Sequence, residues 1–314
     1  MEQKKQRKKS SLSLLEYARK RIAWKVQLNK TSTAELYRAT VNHFLKFTGN
    51  ERFRLEELNR TLVADFAAYL QNKGLATNTV NSYLSSLRAI YNAACYDRSI
   101  FPADHPFRGL KLKREPTVKR AVPVAFIQKL ANLRTTDSPK QELATDMALF
   151  SFLACGMPFI DMAHLTASNL RNGELVYNRR KTGAQVRMEI TPVMWQIIRK
   201  YTPTDGEREF LFPILPTRTP THSQYKHCLA SHNKHLKVIG NKLCIPILFT
   251  SYVTRHSWAS AALQSGISVA VISQGLGHSS EKTTRYYLSE LDVSELTKAN
   301  RIISAPINCL LGEG

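Results

Sequence analysis

The sequence predicts a mainly α-helical chain of two domains with a small antiparallel β-sheet in the second. Apolar residues recur at helical spacing through the first third of the chain, prolines and basic residues then interrupt the pattern, and helical segments mix with alternating ones beyond. A chain of 314 residues is long enough for two cores. The predicted parts are a basic tail (1–10), a helical domain (11–105), a basic linker (106–122), a mixed α/β domain (123–291) and a terminal helix and tail (292–314).

Four helices are predicted in the first domain. Their apolar stripes run from Leu14 to Val26, from Ala39 to Phe47, from Leu62 to Leu70 and from Val80 to Tyr91. Gly49 and Gly74 follow the second and third stripes, where glycine commonly ends a helix. Helices of this size form a compact bundle.

The second domain is predicted to combine helices with a β-hairpin. The stretches 124–133, 144–154, 193–198 and 223–238 have helical patterns, the last with His227, His232 and His235, for which we expect solvated or phosphate-facing positions. Leu175–Tyr177 and Val186–Ile190 alternate like strands around a turn at 179–183. The stretch 293–303 is predicted to form an amphipathic helix followed by an apolar tail. So much apolar side chain needs a partner surface, and we expect the tail either to fold back on its own domain or to dock on a neighbouring subunit.

Charge and cysteine content narrow the class of protein. The formal net charge is +21, which indicates a polyanionic partner. Nucleic acid is favoured over a membrane surface, because no apolar run approaches the ~20 residues that span a bilayer. Five dispersed cysteines suggest neither a disulfide framework nor a zinc site, and no hydrophobic signal segment follows the amino terminus. We therefore expect a protein of the reducing cytoplasm.

The stretch from Phe249 to Leu288 carries the residues best suited to chemistry on a phosphodiester. Arg255 lies near the start of a predicted helix, His278 follows a glycine, and Tyr287 comes nine residues later. A guanidinium grips phosphate oxygens, an imidazole donates a hydrogen bond or moves a proton, and a phenol can attack phosphorus. Taken singly, each residue more often has an ordinary role. An arginine at a helix start is commonly a surface ion-pair partner, a histidine like His278 a solvated turn residue, and a tyrosine like Tyr287 a half-buried packing residue.

The order of three motifs resembles the carboxy-terminal signature of the tyrosine recombinases, also called the phage integrase family. They are Arg255-His256-Ser257-x-Ala259, Leu276-Gly277-His278-Ser279-Ser280, and Thr283-Thr284 before Tyr287. The resemblance implies that Arg255 is the second catalytic arginine, His278 the late histidine and Tyr287 the nucleophile, with Tyr286 as its rival. Tyr252 stands where the family usually has histidine, and Lys181 on the hairpin turn matches the lysine that protonates the leaving 5′ oxygen.

The first domain resembles the core-binding, SAM-like domain of the same family. The resemblance rests on residues 74–83, with Arg88 further along the helix. Small polar side chains at a helix start suit phosphate contacts, and simple helix capping explains them equally well. The residues expected to contact DNA are Thr77, Asn78, Thr79, Asn81 and Arg88, with Lys111, Lys113 and Arg114 of the linker.

The resemblance breaks at the first arginine of the family. Gly156 and Asp161 align with its motif, but the two places where relatives carry the arginine hold Cys155 and Pro158, and residues 143–169 contain no arginine. Loss of one such donor would cost about 10²–10³ in rate. Three outcomes are open. Another basic side chain takes the place of the arginine, the enzyme is slow and works only when assembled, or the protein binds DNA without cutting it.

The resemblance implies a site-specific DNA recombinase, either an integrase of a mobile element or an invertase, acting through a 3′-phosphotyrosine. No cofactor and no metal is expected. The implied partners are double-stranded DNA, a homotetramer on paired sites and accessory DNA-bending proteins, in the nucleoid of a bacterial cytoplasm. The alternatives are a non-catalytic DNA-binding regulator or accessory factor and a type IB topoisomerase-like relaxase.

Overall fold

The computed structural model describes residues 12–113, 115, 120–133, 138–202 and 209–288, with the backbone alone for the last three of these. The chain divides into two compact units between Thr117 and Val118, within the stretch predicted as a linker. Among the described residues, no helix combines the length and the apolar character needed to cross a membrane.

The amino-terminal unit is a helical bundle, as the sequence predicts. Its apolar stripes bury a shared core in which Phe44, Phe66 and Leu87 are fully enclosed. Gly49 ends the second helix in the left-handed conformation, with φ of 63°. The helices are α1 (Leu14–Gln27), α2 (Thr31–Thr48), α3 (Arg60–Asn72) and α4 (Thr77–Tyr96).

The first part of the predicted linker packs on this bundle. Phe107 is buried in the same apolar cluster, and Leu110 and Leu112 pack against it. Apolar side chains at these positions gain from burial, so the segment does not run as a solvated tether. The predicted boundary at 106 therefore lies inside the amino-terminal unit.

The carboxy-terminal unit surrounds a three-stranded antiparallel sheet with helices. The strands are β1 (Leu170–Arg171), β2 (Glu174–Asn178) and β3 (Gln185–Glu189), in the order β1-β2-β3. The helices are α5 (Val124–Ala131), α6 (Pro139–Leu153), α7 (Phe159–Ala163), α8 (Pro192–Tyr201), α9 (His222–Lys242), α10 (Ser251–Gln264), α11 (Val269–Leu276) and α12 (Glu281–Leu288).

The predicted hairpin is present, and it positions part of the site described below. In the register of β2 and β3, Tyr177 lies opposite Val186. Leu175 and Tyr177 both point into the core because alternate residues of a strand share a face. The fold class predicted from the sequence, mainly α with a small antiparallel sheet, is confirmed.

Three details differ from the prediction or lie beyond the structure. The short helix α7 and the two-residue strand β1 were not predicted. His232 was expected to be solvated or to face phosphate, and this was wrong, since it is buried against Phe159 with ring centroids 4.5 Å apart. The predicted helix at 293–303 and its tail lie outside the described residues.

Candidate active site

Arg255 is a buried arginine that contacts two separate segments of the chain, one after α6 and one at the end of α11. It lies in the second turn of α10 with only 3% of its surface exposed. Its Nη1 donates a hydrogen bond to the carbonyl oxygen of Gly156 (2.8 Å), and its Nη2 donates to that of Leu276 (2.8 Å). Nη2 also lies 3.1 Å from Nε2 of His278. These bonds fix the guanidinium plane between the end of α6 and the end of α11.

Close approach of backbone to backbone makes this arrangement possible. Gly156 has a φ of 68°, and a Cβ added there would lie 2.9 Å from Cα of Arg255. A side chain at this position would be strained by the left-handed backbone and would also displace the arginine. The family glycine thus has a physical role, although the arginine expected beside it is absent.

His278 is oriented by groups on both sides of its ring. Gly277 ends α11 with a φ of 61° and turns the chain so that the imidazole meets Arg255. A guanidinium can only donate, so Nε2 accepts, and the Nδ1–H then donates to Oγ1 of Thr284, 2.7 Å away. Burial, with the positive charges of Arg255, Arg179 and Lys181, lowers the pKa of His278 to about 4. The ring is therefore neutral near pH 7.

A second buried guanidinium, that of Arg179, lies in the same cluster. Only 6% of Arg179 is exposed, and its Nε lies 2.7 Å from a carboxylate oxygen of Asp161. Its Nη1 donates to the carbonyl oxygen of Leu276, the acceptor that Arg255 also uses. The two guanidinium groups therefore share one acceptor atom.

Asp161 ties α7 to the hairpin turn. One carboxylate oxygen pairs with Arg179, and the other accepts a hydrogen bond from the backbone N–H of Arg180 at 2.8 Å. Burial raises the pKa of Asp161, while the N–H of Arg180 and the guanidinium groups of Arg179 and Arg255 act in the opposite direction. The contacts with a guanidinium and an N–H are those that a carboxylate makes.

Sequence reasoning missed Arg179, although a signal for it exists. Leu175, Tyr177 and Arg179 are spaced two residues apart, so the inward face of β2 continues to the arginine. The interpretation of residues 179–183 as a hairpin turn hid that continuity. The residues that follow, Arg180 and Lys181, are exposed as the turn requires.

Lys181 lies on a turn that is fastened to the end of α11. The N–H of Gly183 donates to the carbonyl oxygen of Arg179 (2.8 Å), and Oγ1 of Thr182 donates to that of Gly277 (3.1 Å). Lys181 itself is exposed, and its charge contributes to lowering the pKa of His278. The hairpin thus presents Lys181 on the side of the unit where His278 lies.

Tyr252 and Tyr287 occupy helices next to this cluster. Tyr252 lies one turn before Arg255 on α10, with 52% of its surface exposed and its ring centroid 5.5 Å from that of His256. Tyr287 lies on α12, where the backbone is described and the side chain is not. The bond between His278 and Thr284 connects the imidazole to α12, because Thr284 precedes Tyr287 by about one turn.

Three of the residues predicted to contact DNA, Thr77, Asn78 and Asn81, have hydrogen-bond partners within the amino-terminal unit. Oγ1 of Thr77 donates to the carboxylate of Glu115 (2.7 Å), Nδ2 of Asn78 to the carbonyl oxygen of Glu115 (2.8 Å), and Nδ2 of Asn81 to that of Lys113 (2.8 Å). These bonds hold the basic strap, defined as residues 111–113 and 115, along the start of α4. Thr79 and Arg88 are half-buried on α4, Lys111 and Lys113 are exposed, and Arg114 lies outside the described residues.

The described part of the chain contains no cluster of three or more histidine, cysteine, aspartate or glutamate side chains able to hold a metal ion. Burial lowers the pKa of His232 to about 3. The ring of His232 stacks on that of Phe159, so this histidine has a packing role.

Comparison with protein-family models places the chain in a known family. Residues 13–108 match the phage integrase SAM-like domain, and residues 126–293 match the phage integrase family. The second match spans more than half of the chain, and the chain therefore belongs to the phage integrase family. The resemblance inferred from the sequence is confirmed.

Curated relatives align over most of the chain at low identity. Tyrosine recombinase XerD of Pseudomonas aeruginosa is 24% identical over 266 residues, which cover 82% of this chain and 86% of the relative. Tyrosine recombinase XerA of Thermococcus kodakarensis is 23% identical over 290 residues, covering 90% and 92%. The integrase of Escherichia phage P2 is 22% identical over 232 residues, covering 74% and 61%.

Solved structures share the fold. The integrase of transposon Tn1549, in complex with transposon right end DNA, superposes with a TM-score of 0.64 at 14% identity, over 94% of this chain and all of that one. A lambda integrase dimer bound to a COC′ core site gives a TM-score of 0.63 at 14% identity, over 90% and 98%.

Proposed function

We propose that this chain is a site-specific recombinase that cuts and rejoins double-stranded DNA through a 3′-phosphotyrosine at Tyr287. The observation that carries the proposal is the guanidinium of Arg255, buried and fixed by hydrogen bonds to Gly156 and Leu276 and by contact with His278. In the transition state, negative charge develops on the oxygens around phosphorus. Buried cationic donors that are already fixed in place before the reaction stabilise this charge. Family membership and the named activities of the relatives support the same conclusion.

The scissile phosphate would bind against Arg255, with the hydroxyl of Tyr252 as a further donor from one turn earlier on the same helix. His278 is neutral, and its acceptor nitrogen Nε2 contacts Arg255 in the absence of DNA. Once Nη2 of Arg255 donates to the phosphate instead, Nε2 would be free to take the phenolic proton of Tyr287. The phenolate oxygen of Tyr287 then attacks phosphorus.

Cleavage would break the bond between phosphorus and the 5′ oxygen, and Lys181 would give that oxygen a proton. The products are a 3′-phosphotyrosine and a free 5′ hydroxyl. Religation is the reverse attack by the 5′ hydroxyl of another strand. Because the phosphotyrosine ester preserves the energy of the broken bond, the cycle needs neither ATP nor a metal ion.

We further propose that the strap, residues 111–113 and 115, and the start of α4 contact the DNA backbone. The exposed Lys111 and Lys113 lie on a segment that Thr77, Asn78 and Asn81 hold in place. Thr79, Arg88 and Arg114 are the other expected contacts of this unit. Phosphate contacts of this kind fix register and give binding that weakens with salt.

Exchange of four strands implies a homotetramer on two paired sites, and accessory DNA-bending proteins fit such an assembly. A structural neighbour, a lambda integrase tetramer bound to a Holliday junction, supports the tetramer by analogy of fold. We propose that the protein acts at the bacterial nucleoid, as an integrase of a mobile element or as an invertase.

A suicide substrate tests the proposal. Nicked duplexes from the sequence flanking the protein's own gene are incubated with the full chain and resolved on a denaturing gel. We expect a slow-migrating covalent adduct that Tyr287→Phe abolishes and Tyr286→Phe retains. Tight, salt-sensitive binding without any adduct would instead favour a regulatory DNA-binding protein, and relaxation of plasmid lacking a specific site would favour a topoisomerase-like relaxase.

A further inference from the structure

We infer that Arg179 takes the place of the arginine missing at the family's usual position, and that its guanidinium contacts the scissile phosphate beside that of Arg255. The inference rests on the proposed recombinase activity. It assigns a catalytic role to a residue that lies on the hairpin, whereas the missing arginine belongs to the loop after α6.

Location is the first support. The loop that lacks the arginine, with Cys155 and Gly156, packs directly against Arg255. Arg179 reaches the same neighbourhood from β2, and its Nη1 donates to the Leu276 carbonyl oxygen that also accepts from Arg255. Two guanidinium groups that donate to one oxygen atom lie side by side, as a pair that grips one phosphate must.

Charge is the second support. Two like charges in a buried cluster repel each other, and burial makes this repulsion stronger than at a surface. Asp161 is the carboxylate that pairs with Arg179. The positive charges of Arg255, Arg179 and Lys181 all lower the pKa of His278, so the cluster is electropositive at this point. An anion bound between the two arginines would reduce the repulsion between them.

Preorganisation is the third support. The Nε of Arg179 is held by Asp161 at 2.7 Å, and a Cβ added to Gly277 would lie only 2.6 Å from Cγ of Arg179. The stem is thus clamped by α11 and the head is oriented by α7. Within the described part of the chain, Nη2 has no hydrogen-bond partner, and it is the donor left for phosphate. Asp161 acts as a positioning residue.

A purely structural role for the ion pair of Arg179 and Asp161 predicts different behaviour. A structural pair would lower stability when broken, and its loss would affect reaction at a charged and at an uncharged phosphate equally. A phosphate contact makes the defect depend on the charge of the phosphate. Methylphosphonate, in which a methyl group replaces one charged oxygen, separates the two roles.

The first experiment measures single-turnover adduct formation on suicide substrates with phosphate or methylphosphonate at the scissile position. Arg179→Met keeps the aliphatic stem and removes the charge. We expect it to lower the rate on phosphate by about 10²–10³-fold and on methylphosphonate by less than about tenfold. Arg179→Lys should retain an intermediate rate, because it keeps the charge and loses the fixed planar fork. Equal losses on both substrates, or a loss below about tenfold on phosphate, would overturn the inference.

Arg187→Met is the matched control. Arg187 lies on β3 of the same sheet and also pairs with a carboxylate, that of Glu174, but 66% of its side chain is exposed. The Arg187→Met substitution removes one positive charge, as Arg179→Met does, so it measures any general loss of attraction to DNA. We expect rates within about twofold of the wild type on both substrates.

Folding is controlled by a second variant, Arg179→Met combined with Asp161→Asn, which removes both charges of the pair and avoids a buried, unpaired carboxylate. If Arg179→Met alone unfolds, the double variant gives the answer. We expect it to fold, to fail on phosphate and to react on methylphosphonate.

A binding cycle tests the contact without cleavage. In the Tyr287→Phe background, affinities for phosphate and methylphosphonate duplexes are compared with and without Arg179→Met, moving the substitution through each central phosphate in turn. We expect one position at which the two changes are non-additive by about tenfold or more. Additivity at every position would overturn the inference. Failure of the wild type to form an adduct would refute the proposed recombinase activity alone, because the cycle still reports whether Arg179 contacts phosphate.

Discussion

Substitution of Gly156 by alanine should damage stability and catalysis together. Gly156 has a φ of 68°, so alanine costs about 1 kcal/mol in backbone strain. The new methyl carbon would lie 2.9 Å from Cα and 3.1 Å from Cγ of Arg255, closer than carbon atoms pack, and relief of such overpacking typically costs about 1–3 kcal/mol. The expected loss in free energy of unfolding is therefore about 2–4 kcal/mol.

Gly173→Ala is the matched control for this prediction. Gly173 has a φ of 81° in the turn between β1 and β2, and a Cβ there meets nothing within 4 Å. Gly173→Ala therefore adds the backbone strain but no close contact, and the expected loss in free energy of unfolding is about 1 kcal/mol. Urea unfolding of both variants measures the difference.

The catalytic consequence follows from the same geometry. Arg255 must move by a few tenths of an ångström to accommodate the methyl group, and misplacement of a catalytic donor on that scale should lower the rate of adduct formation by about tenfold or more. Gly173→Ala should leave the rate unchanged under conditions where both variants are folded. Equal effects of the two substitutions on stability and on rate would refute the placement of Gly156 against Arg255.

Three further predictions concern other groups of the structure. Thr284→Val removes the acceptor of His278 Nδ1–H, and we expect about 0.5–1.5 kcal/mol lower stability together with slower cleavage; an unchanged rate would contradict the assigned tautomer. Tyr252→Phe should slow cleavage by up to about tenfold with stability within about 0.5 kcal/mol, and a loss of stability would mean that the phenol is structural. The third concerns His232, whose pKa is about 3 against an ordinary 6.5, so the unfolded chain protonates first as the pH falls. His232 should therefore contribute a loss of about 2 kcal/mol between pH 8 and pH 5, which His232→Phe should remove; parallel pH profiles of the two proteins would contradict this.

Regular periodicity accounts for the parts of the fold that the sequence predicts well. The four helices of the amino-terminal unit have apolar stripes, and two of them are followed by glycine; Gly49 adopts the left-handed conformation that ends α2. The hairpin follows from alternation on either side of a turn. The helix α7 has five residues and β1 has two, too few for a period to be visible.

Buried polar residues are the part that sequence reasoning placed poorly. His232, Leu236, Ile239 and Gly240 share one face of α9 at helical spacing, and all four are buried, yet residue type alone favoured solvent for the histidine. Arg179 likewise continues an apolar face of β2. Long-range partners such as Asp161 make these burials possible, and periodicity within one element cannot reveal them.

The candidate site likewise has a part that the sequence predicts and a part that only the fold shows. Linked motifs predicted Arg255 and His278, which the structure brings into contact at 3.1 Å. The chain segments that hold them, from Gly156, Leu276 and the turn at 179–183, come together only in the folded unit. The roles of Tyr287, Lys181 and Tyr252 stay predictions.

Identification of the residue joined to DNA tests the central claim most directly. The adduct from a suicide substrate is digested with protease and nuclease, and the peptide that carries the nucleotide is sequenced by mass spectrometry. The account predicts a phosphodiester on Tyr287 in the peptide that contains both tyrosines of α12. A nucleotide on Tyr286, or on a residue outside α12, would contradict the assignment of the nucleophile.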